Sequence, residues 1–177
     1  MKKLAESLLT LDDWLLKLNL VVCGALLLAM VIIEGAGVIF RFVLHDSLSW
    51  SDELSAYLFV WLTCLGAAAG IKLRVHPEVK ALADRLPSAM HKSLNDFTDV
   101  AIIALGAVFL IYGGDMLVLI GTETASSLPI SMVYPYLAIP VGGALLIFHA
   151  VVRIIVSHLT PEAMLVPVAG PELSEHI

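Results

Sequence analysis

From Leu18 to Phe40 the chain reads LNLVVCGALLLAMVIIEGAGVIF, a run with one carboxylate, Glu34, and no basic residue. Coiled as a helix at ~1.5 Å per residue, such a run reaches about 34 Å, enough to cross a bilayer core of about 30 Å. Three further runs follow at about Leu54–Ile71, Val100–Ile120 and Tyr134–Val156. They are continuously apolar, whereas a helix on a soluble core shows an amphipathic stripe. The chain therefore reads as an all-α integral membrane protein with four transmembrane helices, at about 18–40, 54–71, 100–120 and 134–156.

Composition points the same way. Of 177 residues, 59% are hydrophobic and 15% charged, which leaves little chain for an aqueous domain. The longest stretch outside the runs, Lys72–Asp99, is too short to bury a catalytic core, so no enzyme is expected. Residues 1–15 read as an N-terminal segment, 16–156 as the membrane domain and 157–177 as a disordered acidic tail. The net charge of −6 is scattered over separate loops, and nothing resembles a nucleic-acid surface. Glu6, Asp12 and Asp13 interrupt the start, and the first run is longer than a signal peptide's apolar region, so the first helix is expected to stay. Cys23 and Cys64 fall inside apolar runs and read as small hydrophobes.

Basic residues give the orientation. Lys2, Lys3 and Lys17 precede the first run, Lys72, Arg74, Lys80, Arg85 and Lys92 follow the second, and Arg153 ends the fourth. Arg41 alone lies on the other side, nine against one. Positive charge favours the cytoplasm, so both termini are expected inside. Between runs two and three, Val79, Leu82, Leu86, Met90, Leu94 and Phe97 recur at helical spacing. With Pro87 as a breaker, residues 77–99 read as one or two amphipathic helices lying in the interface against membrane lipids.

Polar residues within the runs are few. Glu34 lies about 24 Å into the first helix, and Asp115 counts to a similar depth in the third. Arg41 ends helix one and Glu53 opens helix two beside them. Two arrangements fit: an ion or proton site built from Glu34 and Asp115, or a boundary cluster in which Arg41 pairs with one of the acids. The second is preferred, since a carrier site belongs near the midplane. His149 is the one histidine well inside a helix, too few for a two-histidine haem site, and it shares a face with Arg153. What stands out is packing surface. Gly66 and Gly70 form a small-xxx-small pair, Gly106, Gly113, Gly114, Gly142 and Gly143 add more, and the deep Trp61 needs an indole partner.

The stretch from Arg41 to Trp61, RFVLHDSLSWSDELSAYLFVW, resembles the small membrane subunit of TRAP (tripartite ATP-independent periplasmic) transporters, the DctQ type. The similar features are Arg41 at the end of helix one, Trp50-x-x-Glu53 opening helix two, Trp61 to Ala67, Arg74 before His76, Leu128-Pro-Ile, and Tyr134 through Pro140 to Gly142. The likeness covers about residues 15–155 and departs at Pro77-Glu78-Val79. It implies a multi-pass protein of the bacterial inner membrane, partnered by a large DctM-type subunit and a periplasmic substrate-binding protein. It implies sodium-coupled uptake of an organic anion such as a dicarboxylate or sialic acid. Sodium would be held by the large subunit, with no cofactor here, and this chain would act as its scaffold. Glu34, Arg41, Trp50, Glu53, Trp61, Gly66, Gly70 and Asp115 are then expected at the partner interface or in a structural polar cluster. The rival readings are a self-sufficient small ion or proton channel or carrier using Glu34 and Asp115, and the membrane anchor of a redox enzyme.

Overall fold

An apolar solvent leaves backbone N–H and C=O groups no partners but one another, so each long apolar run closes its hydrogen bonds within a helix. The computed structural model describes residues 2–73 and 88–159. Its elements are α1 Lys2–Phe42, α2 Ser51–Leu73, α3 Ser88–Leu119, the single turn α4 Val133–Tyr136 and α5 Ala138–Leu159. Among the described residues, four stretches are long and apolar enough to span a membrane: Glu6–Phe42, Ser51–Leu73, Asp96–Leu119 and Val133–Val156. The all-α, four-span architecture read from the sequence is the one the structure has.

The helices pack in the order α1, α2, α5, α3, with α1 touching α5 lightly. The bundle is thus an open slab with α1 and α3 at its edges. Asp12, Lys72, Asp99 and Arg153 gather at one end, here the termini end. Arg41, Asp52, Glu53 and the α3–α4 connection gather at the other, the loop end.

Two helices are longer than their apolar runs. The N-terminal segment expected at 1–15 is helical from Lys2 onwards and continuous with the first span. Residues 88–99, expected to lie in the interface, are the opening turns of α3, while residues 77–87 fall outside the described part of the chain. The cause in both cases is the absence of a breaker: neither Lys2–Phe42 nor Ser88–Leu119 contains a proline. The expected tail lies outside the described residues from 160 onwards.

The breaks that do occur have identifiable causes. After α1, Val43 N–H and Asp46 N–H donate to the carbonyls of Ile39 (2.9 Å) and Phe40 (3.1 Å), and His45 turns the chain with φ 56°. Asp52 and Glu53 then sit in the first turn of α2, where carboxylates complement the helix dipole. The fourth span is interrupted at Leu137, because Pro140 has no N–H to donate to the Tyr136 carbonyl.

Small residues set how closely the spans approach. A Cβ on Gly106 would come within 2.8 Å of the Gly143 carbonyl oxygen, and one on Gly143 within 2.7 Å of the Gly106 carbonyl oxygen. The α3–α5 seam is therefore backbone against backbone. Gly113 receives Ile139 and Pro140, so the bend of the fourth span nests on α3, and Gly142 receives the Cys64 side chain of α2. Around these contacts Ala68, Ile71 and Leu146 form the buried core, with Ile102, Phe109 and Leu145 packed against it. Gly66 and Gly70 take no part: a Cβ on either meets nothing within 4 Å.

Gly143→Ala is expected to push α3 off α5 and cost about 1–3 kcal/mol, read as a lower unfolding temperature in detergent. Gly66→Leu should leave that temperature of the isolated chain unchanged.

Candidate functional site: polar networks at the two ends of the slab

At the loop end, the Glu53 carboxylate organises a whole connection. Its position in the first turn of α2 directs it at the segment between α3 and α4, a small hairpin in which Ala125 N–H donates to Ile130 O (2.9 Å) and Met132 N–H to Glu123 O (3.0 Å). Glu53 Oε1 accepts from the Tyr57 hydroxyl (2.6 Å) and the Ser126 N–H (2.9 Å). Oε2 accepts from the Ser127 N–H (2.7 Å) and the Ser127 hydroxyl. Four donors on one carboxylate are best matched by its ionised form, which only accepts. One turn beyond Tyr57, Trp61 Nε1–H donates to the Tyr134 carbonyl (3.1 Å), so the deep indole is satisfied within the chain. Arg41 reaches Asp52 (3.3 Å), and both side chains are largely exposed. Trp50 is half-buried just ahead of α2.

At the termini end, four helices are tied by charge. Asp12 of α1 is buried, with Lys72 of α2 on its Oδ2 and His149 of α5 on its Oδ1 at 2.5 Å. Neutral imidazole satisfies this contact by carrying its proton on Nδ1 and donating to the carboxylate. Lys72 also contacts Asp13 at 2.7 Å. One turn further along α5, Arg153 pairs with the buried Asp99 of α3 and donates to the Ile71 carbonyl of α2 at 3.4 Å. Farther along α1, buried Asn19 donates through Nδ2 to the Leu65 carbonyl at 2.9 Å, and the Cys23 thiol donates to Asn19 Oδ1 at 3.5 Å. Each carboxylate here has a cation or imidazole beside it, the condition under which buried charge is tolerated.

The residues singled out in the sequence are thus divided. Glu53, Tyr57 and Trp61 belong to one linked arrangement, and Arg41 pairs with Asp52, a residue the reading had not named for it. Gly66 and Gly70 lie on the outer side of α2. Glu34 and Asp115 are not brought together: they stand on α1 and α3, the two edges of the slab, and both are exposed. Nor do they share a depth. Gly37 of α1 packs on Ser51, the first residue of α2, which places Glu34 about 4 Å below that level. Gly113 packs on Ile139 and Pro140, and Gly142 on Cys64, which places Asp115 level with Phe59, about 12 Å below it. Counting along each helix from its own end misjudged Asp115, because α3 stops lower in the slab than α1.

The termini-end pairing of Asp12, Lys72 and His149 escaped the sequence reading, although two signals pointed to it. His149 and Arg153 are four residues apart on one helix face, a face that needs acids opposite it, and Asp12 and Asp13 interrupt the leucine-rich start of the chain. Between the two ends, the described helix contacts are made mostly by glycine, alanine and apolar side chains, with Cys64 on Gly142 and the buried Asn19–Leu65 hydrogen bond among them. The arrangement clamps helices; it does not line a path between the ends.

The sequence profile described as the DctQ component of tripartite ATP-independent periplasmic transporters matches residues 30–159. The chain belongs to that family. The matched stretch covers the end of α1, from residue 30 to 42, and all of α2 to α5, and leaves out the segment bearing Asp12 and Asp13. Among named relatives, the chain is 31% identical over 111 residues to the C4-dicarboxylate TRAP transporter small permease protein DctQ of Rhodobacter capsulatus, covering 58% of this chain and 46% of that one. It is 27% identical over 123 residues to the sialic acid TRAP transporter small permease protein SiaQ of Vibrio cholerae, covering 64% and 66%. It is 27% identical over 145 residues to the sialic acid TRAP transporter permease protein SiaT of Haemophilus influenzae, covering 78% of this chain but 21% of that longer one. The chain therefore spans from about a fifth to about two thirds of these relatives.

Asp12→Ala leaves Lys72 and His149 buried without their carboxylate and is expected to cost about 3–5 kcal/mol. Asp13→Ala, at an exposed carboxylate, should cost far less. Thermal unfolding of the two purified variants in detergent separates them.

Proposed function

We propose that this chain is the small membrane subunit of a binding-protein-dependent TRAP transporter. It would brace a large transport subunit during sodium-coupled uptake of an organic anion of the dicarboxylate or sialic acid kind. Both termini and the α2–α3 connection face the cytoplasm, and the α1–α2 and α3–α4 connections face the periplasm, in line with the distribution of lysine and arginine.

Membership of the DctQ-component family carries the reading. Two further observations support the bracing role. Asp12, Lys72, Asp99 and Arg153 at the termini end are paired within the chain, and the described helix contacts between the ends are mostly apolar and close-packed. A secondary carrier places its substrate and ion sites near the midplane, on interrupted helices. The one interruption among the described spans, at Leu137, packs on Gly113 of α3. A self-contained carrier built from Glu34 and Asp115 is disfavoured, because the two carboxylates sit on opposite edges.

The decisive experiment is sodium-driven uptake into proteoliposomes containing this chain alone, the large subunit alone, or both, each with the binding protein outside. Uptake is expected only from the pair. Transport or ion flux with this chain alone would overturn the reading.

A further inference from the structure

Asp115 is a carboxylate in a place that does not suit one. It lies on an apolar span, about 12 Å below the start of α2, on the exposed edge of the slab. It has no hydrogen bond or ion pair among the described residues. Cβ atoms on a helix lean toward its N-terminus, and α3 runs from the termini end to the loop end, so the short side chain is aimed away from the nearer membrane boundary. Glu34 is different: it is longer, about 4 Å below the start of α2, and within reach of the headgroup region.

Ionisable groups inside a membrane face a protein interior or a partner and are costly against lipid. The surface around Asp115 is otherwise apolar, with Ile111, Val118 and Leu119 exposed, and Val118 is 85% exposed. Tyr112, three residues earlier and also exposed, adds a phenol to the same edge. The missing partner must therefore bring a cation into an apolar setting. Among the described residues a second copy of this chain offers none at that level: Lys17, Lys72 and Arg153 lie toward the termini end, and Arg41 lies at the loop end paired with Asp52. In the Haemophilus relative the stretch matching this chain is 21% of the polypeptide, so a much longer remainder is joined to it.

We propose that the outer edge of α3, centred on Asp115 with Tyr112 beside it, is the seam for a transmembrane helix of the large membrane subunit that presents a lysine or arginine to Asp115. The inference rests on the small-subunit reading and adds which face of the slab is covered. The opposite edge, α1 with Val31 and Ile32 exposed, is left to lipid.

The test uses this chain co-expressed with its large subunit and extracted in mild detergent. A photo-crosslinking residue replaces Tyr112 or Val118 in turn, or Val31 as the control edge. Adducts with the large subunit are expected from positions 112 and 118 and not from 31. Asp115→Ala should lower recovery of the large subunit by about three- to tenfold, the range of polar contacts between membrane helices, and Asp115→Asn should lower it less. Adducts from position 31 but not from 112 or 118, with the complex intact, would overturn the edge assignment and leave the small-subunit reading standing. Adducts joining two copies of this chain would replace the seam with self-association. Failure of the unaltered chain to bring down any large subunit would overturn the underlying reading as well. Because Asp115 is exposed and makes no hydrogen bond or ion pair among the described residues, unfolding of the isolated variants should match that of the unaltered protein.

Discussion

One buried carboxylate holds the arrangement of this slab at its termini end. Asp12 draws the Lys72 ammonium of α2 and the His149 imidazole of α5 onto α1, three helices on a single side chain. Burying that group is unfavourable unless both oxygens are met, so the register of α1 against α2 and α5 is fixed by what would be lost if either slipped. Arg153 and Asp99 fasten α3 to the same end. The glycine seam of α3 and α5 can then be close, because neither helix is free to slide along it.

The loop end uses the opposite strategy. There the ties are hydrogen bonds from a loop to a helix, with Glu53 collecting the Ser126 and Ser127 amides and Trp61 capping the Tyr134 carbonyl. The groups around Glu53 lie near water, where each contact is worth less and the connection between α3 and α4 is held by their number, while Trp61 ties α4 deeper in the slab. One end is locked by buried charge, the other pinned by a shared acceptor. An open slab with both ends tied and its edges bare suits a brace better than a conduit.

Most of the architecture was legible because continuous apolar runs admit only one solution in a bilayer. The breaks are partly legible: a proline, Pro140, stands in the fourth run where that span is interrupted, while the lack of any proline before Phe42 or between Ser88 and Leu119 lets both helices extend beyond their apolar runs. The networks were less legible. Asp12 and His149 are 137 positions apart, and no local pattern states which of several antiparallel registers brings them together. Depth failed for the same reason. Glu34 and Asp115 counted to similar depths along their own helices, yet the contacts of Gly37, Gly113 and Gly142 set them about 8 Å apart across the slab. Gly66 and Gly70 formed the most visible packing motif in the sequence, and the chain itself leaves them uncovered.

The central claim is that this slab stays rigid while its partner works. The most direct measurement is the distance between spin labels at Val38 on α1 and Leu110 on α3, exposed positions outside the proposed seam, in the assembled transporter. It would be recorded by pulsed electron paramagnetic resonance with and without sodium and loaded binding protein. The account predicts one unchanged distance distribution in all conditions. A shift of several ångströms, or a second population on adding sodium and substrate, would show that the slab itself moves and would contradict it.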